Sequence, residues 1–142
     1  MTKHLRPRPL SQANYQALAA YRAALRRFLH FSTEAARSAH ITQQQYQVLL
    51  AVKAASPGTL LSIGELAGIM HVRHHSAVGL VDRLVHRGLL RRTRDAGDRR
   101  RVRVGLTSRG KTVLIRLAAS HRDELRQLGP QLVRSLQALG VG

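Results

Sequence analysis

The chain has 142 residues, 44% of them hydrophobic and 4% aromatic, with no cysteine and a formal net charge of +17 carried by 21 arginines and 3 lysines against 7 acidic side chains. That length holds a single domain with its own core, and the missing thiols exclude disulfides, thiolate metal sites and cysteine redox switching. The arginine bias suits planar, bidentate contact with phosphate or guanine, which makes nucleic acid the leading partner, whereas so few aromatics argue against a helix lying on a membrane surface.

The opening MTKHLRPRPL, with two prolines and no apolar centre, reads as a flexible basic arm over 1–10 and not as a signal peptide. No apolar run approaches the roughly 20 residues that span a bilayer, so a cytoplasmic protein is expected. Ser11 offers an N-cap to a long amphipathic helix whose stripe runs through Tyr15, Leu18, Leu25, Phe28, Leu29 and Ala35 to about Ser38. Thr42 caps a second helix with Tyr46, Leu49, Leu50 and Val52, stopped by Ser56-Pro57-Gly58. Leu60-Leu61 is long enough for a minimal strand, and Ser62 with Glu65 forms a capping box for a brief helix over Ile63 to Met70. A further helix from Arg73 or His74 to Arg87 puts Ala77, Leu80, Val81, Leu84 and Val85 on one face, and two helices joined by so short a turn make a helix-turn-helix.

Gly88 ends that helix, and two alternating arginine-rich runs follow, separated by Asp95-Ala96-Gly97-Asp98, whose composition is that of a turn. Arg91, Arg92, Arg94, Arg99, Arg100, Arg101 and Arg103 would repel one another on this hairpin, and a polyanion that neutralises them accounts for the cluster. After Leu106-Thr107 a last long helix carries Leu114, Leu117, Ala118, His121, Leu125 and Leu128, a stripe that invites a helical partner. Gly129-Pro130 is expected to break it, with a final helix bearing Leu132, Val133, Leu136 and Leu139.

In a helix-turn-helix the second helix presents its N-terminal residues to base edges, which here selects Arg73, His74, His75 and Ser76, with Gly79 allowing close backbone approach. His71, His74 and His75 have a spacing that permits a metal ion, but a turn separates His71 from the others and no carboxylate or thiolate completes the set, so no metal and no cofactor is expected. His30, His40 and His121 on the long helices are read as packed or solvated. Seven scattered acidic residues, no Ser-His-Asp pattern and no phosphate-binding glycine loop argue against an enzyme.

With these residues in hand, the chain resembles the MarR family of bacterial winged helix-turn-helix transcription regulators, best over Thr42 to Gly110. The resemblance rests on Asp98, Arg100, the strand residues Val102 and Val104, Leu106-Thr107 and Gly110, and upstream on LSIGELAGIMHV and LVDRLVHRGLL. It implies a homodimer with interleaved terminal helices, and Arg100 entering the minor groove, as arginine is drawn to narrow, electronegative grooves, braced by a salt bridge from Asp98. It implies further that positions 74 to 76 read the major groove and that a small effector, often phenolic or anionic, releases the DNA. The chain departs from the usual pattern at Arg73, His74, His75 and Gly79, so its operator cannot be carried over, and Arg99 and Arg101 make its wing more basic than usual.

The expected architecture is therefore mainly α (α+β), a winged helix-turn-helix with long N- and C-terminal dimerisation helices. The domain plan is a basic arm over 1–10 and a single domain over 11–142, in which 11–40 and 111–142 are dimerisation helices and 41–110 is the DNA-binding lobe. The expected function is a ligand-responsive repressor that binds a pseudo-palindromic operator in double-stranded DNA as a homodimer. Its major-groove residues would be Arg73, His74, His75, Ser76 and Gly79, and its wing residues Asp98, Arg99, Arg100 and Arg101. The rival is a structural protein that coats nucleic acid with little regard to sequence, for which the net charge supplies the motive. A metal-responsive regulator is a minor variant.

Overall fold

A computed structural model describes residues 7–55, 59–98 and 100–142. In chain order the elements are α1 (Gln12–Ser38), α2 (Gln43–Ala55), β1 (Leu61–Ser62), α3 (Ile63–Met70), α4 (His74–His86), β2 (Leu90–Arg94), β3 (Val102–Leu106) and α5 (Ser108–Ala138). Pro7 to Leu10 have no regular structure and are exposed; the first six residues of the expected arm lie outside the described residues, as does the Ser56-Pro57-Gly58 stop. The chain divides into two compact units, one of residues 32–122 and one of 1–31 with 123–142.

The larger unit holds the core. Val48, Leu49 and Val52 of α2, Leu66 of α3, Ala77, Leu80, Val81 and Leu84 of α4, Val104 of β3 and Leu114 and Leu117 of α5 are all buried together. The apolar faces expected on α2 and α4 are thus the buried ones, except that Leu50 is exposed and Val85 only half-buried. The sheet is antiparallel in the order β1-β3-β2, with Leu61 opposite Val104 and Leu90 opposite Leu106. His121 is buried in this unit: Nδ1 lies 2.6 Å from the Leu117 carbonyl, so it carries the proton and donates, leaving Nε2 to accept from Ser32 Oγ at 2.8 Å. Its ring stacks on Tyr46 at 4.2 Å.

Helix ends follow from side-chain chemistry. Ser11 and Asn14 cap α1 reciprocally, Thr42 and Gln45 do the same for α2, and Ser62 and Glu65 form the capping box of α3. At the end of α4, Gly88 turns to φ 73°, its N–H reaching the Val85 carbonyl and that of Leu89 the Leu84 carbonyl, which stops the helix and aims the chain into β2. His40 and His71 make the same left-handed turn after α1 and α3 at φ 60° and 53°. His71 is therefore placed by backbone geometry at a helix end, and no group of three or more potential metal ligands occurs among the described residues.

In the smaller unit, Ala17, Ala24, Leu128 and Ser135 are buried. Tyr15, Leu18 and Leu29 of α1 and Leu125 and Val133 of α5 are exposed there despite belonging to apolar stripes. One expectation fails: α5 continues through Gly129-Pro130 to Ala138 as a single helix. Proline removes one hydrogen bond, its ring crowds the carbonyl four residues back, and it crowds the N–H and Cβ of the residue before it. Gly129, with no Cβ, relieves one of these contacts, and the helix runs on across the proline. No helix among the described residues is long and apolar enough to cross a membrane.

Candidate nucleic-acid interface

Two elements carry the predicted contact residues. The turn His71–Arg73 swings the chain from α3 into α4, whose start has no side-chain cap: Arg73 adopts extended angles and makes no capping hydrogen bond. The first N–H groups of α4 are therefore left to solvent or to an incoming acceptor, at the positive end of the helix dipole. Arg73, His74, His75 and Ser76 are all exposed, while Ala77 behind them is fully buried. Gly79 sits one turn on, and the guanidinium of Arg83 lies back along the helix to within 3.9 Å of where a Cβ on Gly79 would be. Arg83, exposed on the same face at i+4, was missed in the sequence; its spacing from His75 and Gly79 was the available signal.

The wing is the β2–β3 hairpin. Its turn is closed by Asp95, whose N–H reaches the Arg101 carbonyl at 2.9 Å and whose Oδ1 accepts from the Gly97 N–H at 3.1 Å. Asp98 does not pair with the Arg100 guanidinium as the resemblance implied; its Oδ1 accepts the backbone N–H of Arg100 at 3.0 Å. A carboxylate two residues ahead finds the N–H within a turn's reach, and this leaves the Arg100 side chain exposed. Arg99 lies outside the described residues.

The seven hairpin arginines are not equivalent. Arg92 pairs with Asp82 of α4. Arg103 donates through Nε to Asp95 at 3.1 Å and through Nη1 to the Leu60 carbonyl at 2.6 Å, and stands 3.7 Å from Glu65, tying β3 to β1 and α3. The Gly97 N–H, and after it Arg103, hold the Asp95 carboxyl below the usual carboxylate range. Hydrogen bonds from Ser62, with Arg103 adding, do the same for Glu65. Two arginines of the predicted polyanion cluster are thus neutralised within the protein. Arg94, Arg100 and Arg101 are exposed, and no carboxylate among the described residues is in salt-bridge contact with them.

A cleft of about 510 Å³ brings the two elements together, lined by Ser62, Glu65, His74, Arg100 and Arg101 among others. The start of α4 and the wing arginines therefore flank one concave surface. His74 is the predicted groove residue that faces it; Arg73, His75, Ser76 and Gly79 are not in its lining.

Helix, turn, exposed second helix and basic hairpin in this order define a winged helix-turn-helix protein. Residues 41–101 match the model of the MarR family. Over 68 residues the chain is 31% identical to YsmB of Bacillus subtilis, an uncharacterised HTH-type transcriptional regulator, a match that spans 48% of this chain and 47% of that protein. Among solved structures, Sco3205 of Streptomyces coelicolor, a MarR family transcriptional regulator in complex with DNA, is similar at 28% identity and TM-score 0.70, covering 87% of this chain and 77% of its own. AbsC of the same organism shares the fold at TM-score 0.73 and 20% identity, over 94% of this chain and 93% of its own. A mutant of MepR from S. aureus bound to an oligodeoxyribonucleotide does so at 0.69 and 20%, over 88% and 97%. The likeness to the MarR family thus covers residues 41–101 by the family model, and the fold of its solved members extends over most of the chain.

Proposed function

We propose that the protein is a DNA-binding transcriptional regulator that acts as a homodimer on a two-fold-related pair of half-sites in double-stranded DNA. The observation that carries this reading is the single surface shared by the uncapped start of α4 and the unneutralised wing arginines. Arg73, His74, His75 and Ser76 read base edges in the major groove, Gly79 lets the backbone approach, and Arg83 joins them from the next turn. Arg100 enters the minor groove, with Arg101 and the neighbouring Arg99 on the flanking phosphates and Asp98 fixing the Arg100 backbone. The DNA complex of Sco3205 supports this partner by analogy.

Dimerisation uses the exposed apolar side chains of the smaller unit, Tyr15, Leu18, Leu29, Leu125 and Val133, which a second copy covers. Half-sites then lie about one helical turn, roughly 10 base pairs, apart. Regulation is by occlusion of a promoter, relieved by a small effector. A cleft of about 350 Å³ lined by Ser38, His40, Val113, Arg116, Leu117 and Ser120 is of small-molecule size and offers one cation to an anionic ligand.

The test is a titration of the full chain against a duplex from its own upstream region and a shuffled duplex of equal composition, at two salt concentrations. A preference of about 10³-fold for the native duplex that persists as salt rises is expected of a regulator. Equal, steeply salt-dependent binding to both overturns the reading in favour of a protein that coats nucleic acid without regard to sequence.

A further inference from the structure

A second cationic site lies on the other side of the wing. Successive residues of a strand point to opposite faces of the sheet. Arg92 meets Asp82 of α4, so Arg91 belongs to the face turned away from α4. There its guanidinium lies against Gly105, its partner across the ladder: a Cβ on Gly105 would be 3.2 Å from Arg91 Nη2 and 3.4 Å from the Leu60 side chain. The buried glycine is thus the floor on which the arginine head rests. Lys53 from the last turn of α2 and Lys111 from the start of α5 line the same cleft, with Val52, Leu60 and Leu106 as apolar walls. Two of the three lysines of a chain otherwise supplied with arginine come together here.

Among the described residues most acidic side chains are engaged elsewhere. Asp82, Asp95 and Glu65 are committed to Arg92 and Arg103, Glu34 to Arg37, Asp123 to Arg126, and Asp98 to the backbone of Arg100. Among the described residues no carboxylate is in salt-bridge contact with Lys53, Arg91 or Lys111. Lys53, Arg91 and Lys111 are exposed residues that line one cleft, and an anion that enters it is attracted by all three. The cleft measures about 130 Å³, well below the roughly 300 Å³ at which sites for drug-sized molecules begin. It is of a size for a compact, multiply charged group and too small for a drug-sized effector.

We propose that Lys53, Arg91 and Lys111, over Gly105, form a binding site for a free oxyanion of the phosphate type: inorganic phosphate, pyrophosphate or the phosphoryl end of a small metabolite. The site is distinct from the surface assigned to DNA, and its occupancy does not depend on that assignment. Arg91 supplies the planar fork and the lysines two point charges, a combination suited to a tetrahedral oxyanion.

The experiment titrates the DNA-free full chain with sodium pyrophosphate at constant ionic strength, following the backbone amide resonances of Leu60 and Gly105. Saturable shifts at both are expected, with at least tenfold weaker binding in Lys53→Gln/Lys111→Gln and less than twofold change in the charge-matched Arg22→Gln/Arg37→Gln, all three proteins melting within a few degrees of one another. Absence of saturation, or equal weakening by both pairs of substitutions, overturns the site. The same variants titrated with DNA separate the source of the phosphate. A salt slope reduced by about two in the lysine double variant, with no pyrophosphate shifts in the parent, overturns the free-anion site and gives the cleft to the DNA backbone.

Discussion

The starts of α4 and α5 are built in opposite ways. At α5, Thr107 Oγ1 accepts the Gly110 N–H at 2.9 Å and donates to the Gly88 carbonyl at 2.6 Å, while its own N–H reaches the Leu89 carbonyl at 3.2 Å. The helix is thereby fastened to the turn that ends α4, and the Gly110 N–H of its first turn is satisfied internally. At α4, Arg73 supplies no cap, and the following histidines and serine stand in solvent. A helix start that holds the fold together is closed; one offered to a partner is left open. Leu106-Thr107 with Gly110, part of the pattern that resembles the MarR family, belongs to the closed kind, and in this structure these residues hold the fold together.

Breaking the closed end has the largest expected effect. A Cβ on Gly110 would fall on the Leu89 carbonyl oxygen and lie 3.0 Å from its carbonyl carbon, so backbone must move in α5 or at the head of β2. Gly110→Ala is expected to cost about 4 kcal/mol or more, a fall in Tm on the order of 10 °C. Thermal unfolding checks this, and a variant that melts like the parent would show that Gly110 is not a packing constraint.

At the open end the same class of change leaves stability alone and alters binding. Arg100→Ala is expected to lower affinity by about 1–3 kcal/mol on all sequences. His75→Ala should shift base preference with little change in salt slope, and Arg83→Ala should either lower the slope by about one, as a phosphate contact, or change base preference with His75. Binding to a panel of duplexes at several salt concentrations distinguishes these results, and Tm should stay within a few degrees throughout. If all three variants act alike on every sequence, the division between base reading and phosphate contact fails.

The closed elements were the more legible part of the sequence. Caps at Ser11, Thr42 and Ser62, the stop at Gly88 and the buried face of α4 are short-range chemistry, decided within a few residues and open to reading from one chain. What escaped depended on distance in sequence. Arg92 and Arg103 look like their exposed neighbours until folding sets Asp82 beside one, and Asp95, Glu65 and the Leu60 carbonyl beside the other. Gly129-Pro130 signalled a break because both residues were read as breakers, yet the helix runs through them, and Gly129 lacks the Cβ that a following proline crowds. The convergence of Lys53, Arg91 and Lys111 from three elements left no mark in spacing at all.

A milder disturbance of the closed end measures the cap itself. Thr107→Val keeps the shape and β-branching but removes the acceptor for Gly110 and the donor to Gly88, and should cost about 1–2 kcal/mol, while Thr107→Ser retains most of the stability. A loss from Ser with little or none from Val, followed by chemical denaturation, would place the effect in the methyl group instead.

The smallest effect is a pH dependence at the wing root. Asp95 and Glu65 have carboxyls lowered in the folded chain, so near pH 4 the unfolded state binds more protons. Their stabilisation is complete above the ordinary carboxylate value and is lost as pH falls through the lowered folded values. Arg103 is the shared cause but not the leading one at either site: the Gly97 N–H ranks ahead of it at Asp95, and the Ser62 hydrogen bonds at Glu65. Arg103→Met should therefore lower Tm at pH 6, and its deficit should shrink, without vanishing, as pH falls below about 4. A deficit independent of pH would mean that Arg103 acts through its bond to the Leu60 carbonyl, which does not titrate, and that its charge contributes nothing to fastening the wing.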